Sequence, residues 1–352
     1  MYGVFNEIYC EVGSGATLAG LSAACSEQQI VKGIVVLKGA HDIDMDIKKK
    51  VFQVLEGEVS QDTIIASNTS SLSITEMATV LTCPERFIGM HFFSPVNRMP
   101  LVEVIRGDKT SDETVAAVVQ LVKSLKKTPV VVKNCPGFLV NRILMPYINE
   151  AVLCLQGNAS ITQIDQLMTR FGMPVGPLTL ADEVGLDVSY KVAKTLEEGY
   201  GDRMKLAPVF DSVISDQSLR GRKSKKGFYV YNGKKKIPNK NMLDLISSHQ
   251  DLVNGKPIEN DLLDRMVLLM INEAARCIEE GIVNDPIYSD MAMIMGTGFP
   301  PFHGGLCRYA DQRGVSDIVS RMEDLATVYG DRFIPAPLLV NLAKKGKGFY
   351  HV

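Results

Sequence analysis

An internal duplication restricts the fold of this sequence more than any other feature. The residues INEA at 148–151 recur at 271–274, each 123 positions later, and both copies close on KGFY, at 226–229 and at 347–350. Self-similarity at a fixed offset is typical of a structural unit that is repeated along the chain and packs on its own copy. Long helical stretches dominate both copies. The carboxyl-terminal part is therefore predicted to be a duplicated, all-helical domain.

The two predicted helical copies span residues 136–231 and 257–352, and a polar stretch from Asn232 to Lys256 joins them. We expect the copies to pack face to face through apolar side chains of their first helices. The side chains predicted at this contact are Ile148, Val152 and Leu155 in the first copy and Ile271, Ala275 and Ile278 in the second. Such a duplication is a scaffold and indicates no particular chemistry.

Upstream of the duplication, from Lys32 to Cys135, short β-branched runs alternate with helical stretches. This alternation predicts a parallel, doubly wound sheet, so the fold class is α/β plus all-α. The predicted strands are Gly33–Lys38, Thr63–Ser67, Arg86–His91, Leu101–Arg106 and Pro129–Lys133. The predicted helices are Met45–Glu56, Ile74–Leu81 and Ser111–Lys127, with Ser111 as a cap for the last.

Composition excludes several classes of protein. A formal net charge of −2 offers no basic surface for nucleic acid. Seven scattered cysteines without a CxxC pair indicate reduced thiols and a cytoplasmic location, and no metal site is expected. No apolar run reaches the roughly 18 to 20 residues of a membrane helix. The first 30 residues contain Glu7 and Glu11 but no basic leader, so neither a signal peptide nor a transit peptide is expected.

Three polar motifs follow predicted strands, at the edge of the sheet where doubly wound folds bind ligands. They are SNTSS at 67–71, HFFSP at 91–95 and CPGF at 135–138. Of the five histidines, only His91 lies in such a motif. Those at 41, 249 and 351 lie in polar or terminal segments, and His303 lies in a rigid apolar turn that favours a structural role.

The strand that follows His91 carries Glu103 within an apolar run. An unpaired buried carboxylate costs several kcal/mol or is forced to take up a proton, so Glu103 needs a partner. If that partner is His91, the carboxylate fixes the imidazole tautomer and raises its basicity. Alternatively, Glu103 pairs with Arg98 or Arg106 and His91 is structural. The spacing alone does not decide between these interpretations.

Three stretches of this sequence closely resemble the L-3-hydroxyacyl-CoA dehydrogenase family. They are ASNTSSL at 66–72, the segment from HFF at 91–93 to Ile105, and NCPGFLVNR at 134–142. The duplicated helical part, with GFPPF at 298–302, looks like the multifunctional members of that family, the α subunits of the fatty acid oxidation complex, anaerobic type most closely. The resemblance runs from about Val35 to Val352.

The resemblance implies roles for four residues. In that family NAD takes a hydride from C3 of a 3-hydroxyacyl-CoA, while a histidine takes the hydroxyl proton and a 3-ketoacyl-CoA forms. His91 matches this histidine, and Glu103 matches the carboxylate that orients it. Ser70 and Asn141 match polar residues that bind the substrate oxygen and the histidine region. The alternative for both is helix capping, by Ser70 for the next helix and by Asn141 for its own.

The resemblance also implies NAD as cofactor. Lys48 occupies a cofactor-contacting position of the family, and Ser67 and Asn68 are placed to contact the nicotinamide half. Only the first helical copy carries the substrate-binding asparagine, because Asp264 stands at the duplicate of Asn141. We therefore expect the first copy to be the catalytic partner of the sheet and the second to be structural.

The amino-terminal end departs from the family pattern. Only 32 residues precede Gly33, which is room for one β-α step at most, since a βαβ unit needs about 30 residues or more. The nearest dinucleotide fingerprint is VGSGATL at 12–18, with Leu18 where the third glycine is required, and Gly39 and Ile43 replace two family glutamates. The expected arrangement is a divergent segment at 1–32 and an incomplete Rossmann-like NAD-binding domain at 33–135, without the hydratase domain of the α subunits.

Two functions follow from these observations. The first is NAD-dependent oxidation of a 3-hydroxyacyl-CoA in fatty acid β-oxidation, favoured by the set of site residues. The second is a catalytically impaired or truncated paralogue that keeps only the helical assembly surface, favoured by the altered glycine turn. The partners that the resemblance implies are an acyl-CoA substrate, a thiolase or another β-oxidation subunit, and further copies of the chain.

Overall fold

The structure is a computed structural model that describes residues 34–38, 45–248 and 259–350. The chain divides into two units, residues 1–138 and 139–352. The glycine turn at 12–18 and the positions Gly39 and Ile43 lie outside the described residues, as do the histidines at 41, 249 and 351.

The first unit contains one sheet whose strands lie in chain order. The strands are β1 (Ile34–Lys38), β2 (Ile64–Asn68), β3 (Phe87–Phe92), β4 (Leu101–Arg106) and β5 (Thr128–Lys133). The pairs β1–β2, β2–β3 and β4–β5 are parallel, as in a Rossmann-like sheet. The pair β3–β4 is antiparallel, so the expectation of a wholly parallel sheet was wrong there. Residues 93–100 join β3 to β4, and a parallel crossover needs a dozen or more residues.

Three helices pack on this sheet: α1 (Met45–Glu58), α2 (Ile74–Ala78) and α3 (Asp112–Ser124). The predicted cap of α3 is confirmed, because the Ser111 hydroxyl accepts a hydrogen bond from the Thr114 amide at 3.1 Å. The core beneath α3 consists of buried apolar side chains of β2, β3, β4 and α3. They are Ala66, Ile88, Met90, Val102, Val104, Val118, Leu121 and Val122.

The opposite face of the sheet approaches α2. Side chains alternate between faces along a strand, so Gly89 and Ile105 lie on the face opposite Val104 and the core under α3. A Cβ atom added at Gly89 would lie 2.8 Å from side-chain atoms of Ile105 and Ile74, so only glycine allows α2 to pack this closely. By the same alternation, His91 and Glu103 lie on the α2 face.

The second unit is helical and has one two-stranded hairpin. Its helices are α4 (Val140–Gln156), α5 (Ile161–Phe171), α6 (Pro177–Val184), α7 (Leu186–Tyr200), α8 (Val209–Ser215), α9 (Lys240–Ser247), α10 (Glu259–Glu279), α11 (Pro286–Thr297), α12 (Leu306–Arg313), α13 (Val315–Tyr329) and α14 (Pro337–Lys344). The hairpin is formed by β6 (Tyr229–Asn232) and β7 (Lys235–Pro238). Helices α4 to α8 thus correspond to α10 to α14. The predicted duplication has a structural counterpart, element by element.

The stretch 232–256, predicted as a polar connection, contains regular structure. It includes β7 and α9, and α9 buries Met242 and Ile246. Residues 249–256 of this stretch lie outside the described residues. Helix α9 is amphipathic, because Met242 and Ile246 are buried one turn apart while Lys240 and Asp244 are exposed. This explains how a polar stretch forms a packed helix.

Equivalent residues of the two copies make equivalent hydrogen bonds. The Asn149 amide group accepts from the Ala207 amide at 2.9 Å and donates to the Lys205 carbonyl at 3.0 Å. Its duplicate Asn272 makes the same two bonds within the second copy. The asparagine of each INEA motif therefore ties the first helix of its copy to a later loop.

The KGFY motifs recur for a similar reason. The buried carboxylate of Asp182 accepts hydrogen bonds from the amides of Phe228 and Tyr229, at 2.9 and 3.0 Å. Asp311 accepts the two matching bonds in the second copy. Each motif thus fastens the end of its copy to the third helix of that copy.

Helices α4 and α10, the first of each copy, pack on each other. The side chains predicted at this contact are all buried except Ile278, which is half-buried. Ile148, Val152 and Leu155 of α4 are almost completely buried. Helix α4 therefore contributes a continuous apolar face to the interior of the unit.

A chain that ends at Asn232 is expected to aggregate or dimerise, because removal of the second copy uncovers this apolar face of α4 and large exposed apolar patches are association sites. Size-exclusion chromatography with light scattering measures this. The intact chain is the control. A monodisperse, fully stable shortened chain would show that the second copy folds as an independent domain.

None of the helices within the described ranges combines the length and apolarity needed to cross a bilayer. Those ranges also hold no group of three or more His, Cys, Asp or Glu side chains arranged to bind a metal ion. The cysteines there are free thiols, namely Cys83, Cys135, Cys154, Cys277 and Cys307.

Candidate active site

His91 and Glu103 form a buried pair across β3 and β4. The antiparallel register places them directly opposite each other, and His91 Nδ1 lies 2.7 Å from Glu103 Oε2. The two side chains are 6% and 0% exposed. The predicted contact is present, but for a different reason than expected, because it comes from an antiparallel cross-strand pair and not from adjacent carboxyl ends of parallel strands.

This geometry separates the roles of the two imidazole nitrogens. Glu103 is acceptor-only when ionised, so Nδ1 is the protonated nitrogen of a neutral imidazole and Nε2 carries the lone pair. A lone pair at Nε2 suits a general base, and the buried carboxylate stabilises the imidazolium that forms when Nε2 takes a proton. The alternative partner Arg106 pairs with Asp112 at 2.5 Å, and Arg98 is exposed.

Two aromatic rings that sequence reasoning did not single out flank the imidazole. The Phe93 ring centroid lies 4.5 Å and the Phe138 centroid 6.0 Å from that of His91. Phe138 is fully buried and has a φ of 53°, directly after Gly137 with a φ of 72°. Apolar walls lower the local dielectric, which strengthens the electrostatic coupling between His91 and Glu103. The adjacent Pro-Gly in the CPGF motif was the available signal for this unusual backbone.

The helix-capping alternatives for Ser70 and Asn141 are wrong. Helix α2 is capped by Ser73, whose hydroxyl accepts from the Glu76 amide at 3.1 Å, and Ser70 lies half-buried in the preceding loop. Helix α4 has Leu139 at its N-cap, so Asn141 lies inside the first turn. Ser70 belongs to the first unit and Asn141 to the second. Their substrate roles stay predictions.

The three residues predicted to contact the cofactor differ in their surroundings. Asn68 is half-buried at the carboxyl end of β2, and Lys48 is a buried residue of α1. Ser67 is completely buried, and its hydroxyl donates to the Met77 sulfur at 3.7 Å. The position of Ser67 supports a packing role between β2 and α2. All three cofactor assignments remain predictions.

Asn134 is a further residue that the motifs contain but that sequence reasoning left without a role. Its side-chain oxygen accepts from the Ile74 amide at 2.8 Å, and its amide nitrogen donates to the Ser73 hydroxyl at 3.0 Å. It therefore fixes the start of α2 to the loop that precedes CPGF. This contact holds α2 against the face of the sheet on which His91 lies.

His303 is placed as a structural histidine. Its ring stacks on Phe171, with centroids 4.8 Å apart and an interplanar angle of 28°. Burial lowers the pKa of His303 below its ordinary value. A neutral imidazole packed among aromatic rings is the expected result of such a site.

Comparison with known proteins identifies the family. Residues 17–135 match the family model of the 3-hydroxyacyl-CoA dehydrogenase NAD binding domain, and residues 137–231 match that of the 3-hydroxyacyl-CoA dehydrogenase C-terminal domain. The first match begins inside the segment 1–32 that was expected to be divergent and upstream of Val35, where the resemblance was expected to start.

A curated relative and two solved structures show the extent of the similarity. The chain is 46% identical over 307 residues to the fatty acid oxidation complex subunit alpha of Vibrio parahaemolyticus, covering 87% of this chain and 43% of the relative. The crystal structure of (S)-3-hydroxybutyryl-CoA dehydrogenase from Ralstonia eutropha is 40% identical, with a TM-score of 0.54 over 62% of this chain and 84% of that one. That of 3-hydroxybutyryl-CoA dehydrogenase from Escherichia coli has a TM-score of 0.79 at 22% identity, over 96% of this chain and 93% of that one, which shows a shared fold. The chain thus spans less than half the length of the curated relative, and it belongs to the 3-hydroxyacyl-CoA dehydrogenase family.

Proposed function

We propose that this protein is an NAD-dependent 3-hydroxyacyl-CoA dehydrogenase of fatty acid β-oxidation. The observation that carries the proposal is the buried contact between His91 Nδ1 and Glu103 Oε2 at 2.7 Å, on a Rossmann-like sheet within the segment that matches the family's NAD binding domain. Burying the carboxylate of Glu103 costs desolvation free energy, and a catalytic role accounts for that cost better than packing does.

In the proposed reaction, His91 Nε2 takes the proton of the substrate's C3 hydroxyl group as the C3 hydrogen leaves with its electron pair. When bound, NAD supplies the acceptor for that hydride. Glu103 stabilises the positive imidazolium, and Ser70 and Asn141 donate hydrogen bonds to the oxygen on which negative charge develops. The products are a 3-ketoacyl-CoA and NADH, with one proton left on His91.

Polar residues at the carboxyl end of β2 support binding of the nicotinamide half of the cofactor. Asn68 is half-buried at the carboxyl end of β2, and β2 pairs in parallel with both β1 and β3; the carboxyl ends of parallel strands are the edge at which doubly wound sheets bind ligands. Asn68 and Lys48 are the polar residues proposed to hold this half, with Ser67 supporting the strand. The candidate pyrophosphate turn at 12–18 lies outside the described residues.

The protein partners are proposed from the relatives. The curated relative is named as a subunit of a fatty acid oxidation complex, which supports an acyl-CoA substrate and association with a thiolase or another β-oxidation subunit. Self-association is a further proposal, and the cytoplasm is the proposed location. Co-purification of the tagged chain with its native partners tests the association.

The assay for the proposed function is acetoacetyl-CoA-dependent oxidation of NADH, followed by absorbance at saturating acetoacetyl-CoA and millimolar NADH. We expect oxidation that depends on both substrates. A folded protein without measurable oxidation would instead support the impaired paralogue, the second candidate. The observation that favours this second candidate is Leu18 at the third glycine position of VGSGATL.

We expect weak binding of NADH, with a dissociation constant in the millimolar range or above, which corresponds to about −4 kcal/mol. Dinucleotide affinity depends on backbone N–H groups of a glycine turn at a helix amino terminus, and the turn at 12–18 departs from that pattern. Contacts to half of the cofactor do not give half of the free energy, because the whole ligand still loses its translational and rotational freedom.

Isothermal titration with NADH measures this dissociation constant. AMP serves as the control ligand, since it carries the adenosine half without the nicotinamide. A micromolar dissociation constant for NADH would contradict the prediction and would show that residues 1–32 complete the cofactor site.

A further inference from the structure

Two buried ion pairs join the helical copies, and in each of them an arginine of one copy binds a glutamate of the other. Arg142 of the first copy binds Glu273 of the second, with Nε to Oε2 at 3.1 Å. Arg265 of the second copy binds Glu150 of the first, with Nη2 to Oε1 at 2.5 Å. The arginines are duplicates of each other, and so are the glutamates. These pairs alone would hold the two copies together symmetrically.

One additional contact breaks this symmetry. Arg142 Nη1 and Nη2 donate to Oε2 and Oε1 of Glu280, both at 2.7 Å, in a bidentate fork. The residue 123 positions before Glu280 is Gly157, which has no side chain to offer Arg265. Bidentate guanidinium–carboxylate pairs add geometric specificity as well as free energy. The fork is therefore specific to the arginine of the first copy.

The position of Glu280 is unfavourable for α10 itself. It follows directly after the last residue of the helix, Glu279, where the helix dipole disfavours negative charge. The hydrogen bond from Arg142 lowers the pKa of Glu280 below its ordinary value. A carboxylate in this place is stabilised by its contact with Arg142 and not by its own helix.

The first turn of α4 makes contacts with residues of other helices through Arg142. Its N-cap residue, Leu139, makes no side-chain capping bond, and the first turn contains no acidic residue. Arg142 is the third residue of the helix, is fully buried, and stacks 4.3 Å above the ring of Tyr200. The fork to Glu280 and the bond to Glu273 are therefore buried, charge-assisted anchors of this turn.

Asn141 is the neighbour of Arg142 in this anchored turn. The carboxylate of its duplicate, Asp264, binds Arg313 and Arg321 within the second copy. We propose that Arg142 and Glu280 are positioning residues, through which the second helical copy holds the first turn of α4 and sets the position of Asn141 for the reaction. This inference rests on the proposed function, in which Asn141 binds the substrate oxygen.

The test replaces Glu280 by Gln, with Glu279→Gln as the matched control on the same helix end. Gln cannot accept both guanidinium N–H bonds, so the fork is lost. We expect kcat to fall about 10-fold with little change in KM, since a displaced group that acts in the transition state affects kcat. Hydrogen exchange of the amides at 140–144 is expected to become about 10-fold faster, without a change elsewhere in α4. Glu279→Gln is expected to change neither.

A second comparison separates positioning from stability. Arg142→Lys and Arg265→Lys both remove a guanidinium from a buried pair, and lysine cannot form the fork. We expect a loss of kcat only in Arg142→Lys, although both variants lower the melting temperature. Equal kcat in the two variants, or normal kcat in Glu280→Gln, would overturn the proposal and leave the fork with a structural role.

The exchange measurement distinguishes this inference from the proposed function. If the intact chain shows no dehydrogenase activity, the proposed function fails, and the inference then depends on exchange at 140–144. Faster exchange confined to that turn in Glu280→Gln supports the anchoring of α4. Unchanged or uniformly faster exchange through α4 overturns it.

Discussion

Replacement of His91 by Ala is expected to abolish acetoacetyl-CoA-dependent oxidation of NADH, because it removes the group that exchanges a proton with the substrate oxygen. Loss of a general base typically lowers the rate about 100- to 10,000-fold. Steady-state kinetics at millimolar NADH measures the change. His303→Gln is the matched control, since His303 stacks on Phe171 in the other unit.

Glu103→Gln tests the same site through the partner of His91. Gln keeps the size of the side chain but removes the negative charge that stabilises the imidazolium. We expect kcat to fall about 100-fold or more with a much smaller rise in KM, the pattern of an interaction made in the transition state. An unchanged kcat in Glu103→Gln would show that this carboxylate has a structural role and takes no part in the reaction.

The sequence predicted the strands of the first unit because their β-branched runs are short and separated by polar or helical stretches. It did not predict the direction of β4, although the signal was present. The connection 93–100 is too short for a parallel crossover, and counting it would have placed His91 opposite Glu103. The cost of an unpaired buried carboxylate predicted only that Glu103 has a partner. The family resemblance then indicated His91 as that partner, and neither argument depends on the direction of β4.

The duplication in the sequence did not predict which side chains pair between the two helical copies. Arg142 and Arg265 correspond in the two copies, as do Glu150 and Glu273. Their equal spacing says nothing about which arginine binds which glutamate, because the partners lie on different helices. The pairing of each arginine with the glutamate of the other copy follows from the packing of α4 against α10. It could not be derived from periodicity, since periodicity defines the face of one helix and not its neighbour.

The contact of Phe138 with the His91 imidazole could not be predicted from the sequence for a different reason. Phe138 adopts a positive φ after Gly137, and a bulky residue in that region is uncommon. Propensity rules assign such a residue to the core or to an ordinary turn. Its place beside the imidazole depends on a backbone conformation that only the folded chain stabilises.

Glu150→Ala is expected to produce the largest loss of stability among the substitutions considered, about 3 to 5 kcal/mol, because it leaves buried positive charge without its partner. Glu150 is fully buried and binds both Arg265, at 2.5 Å, and Arg332, at 2.7 Å. Arg265 is itself 5% exposed and stacks 3.9 Å from the ring centroid of Tyr329. It therefore has little access to water that could replace the carboxylate.

Urea denaturation monitored by circular dichroism measures this loss, with Glu183→Ala as the control. Glu183 binds Arg222 at 2.7 Å, but both side chains are exposed, and such surface pairs contribute about 0 to 1 kcal/mol. The double variant Glu150→Met with Arg265→Met should recover part of the stability, since replacing both members of a buried pair by apolar side chains is often neutral or stabilising. A Glu150→Ala variant no less stable than Glu183→Ala would mean that water enters between the copies and solvates Arg265, and the buried pair would then contribute nothing to holding the two helical copies together.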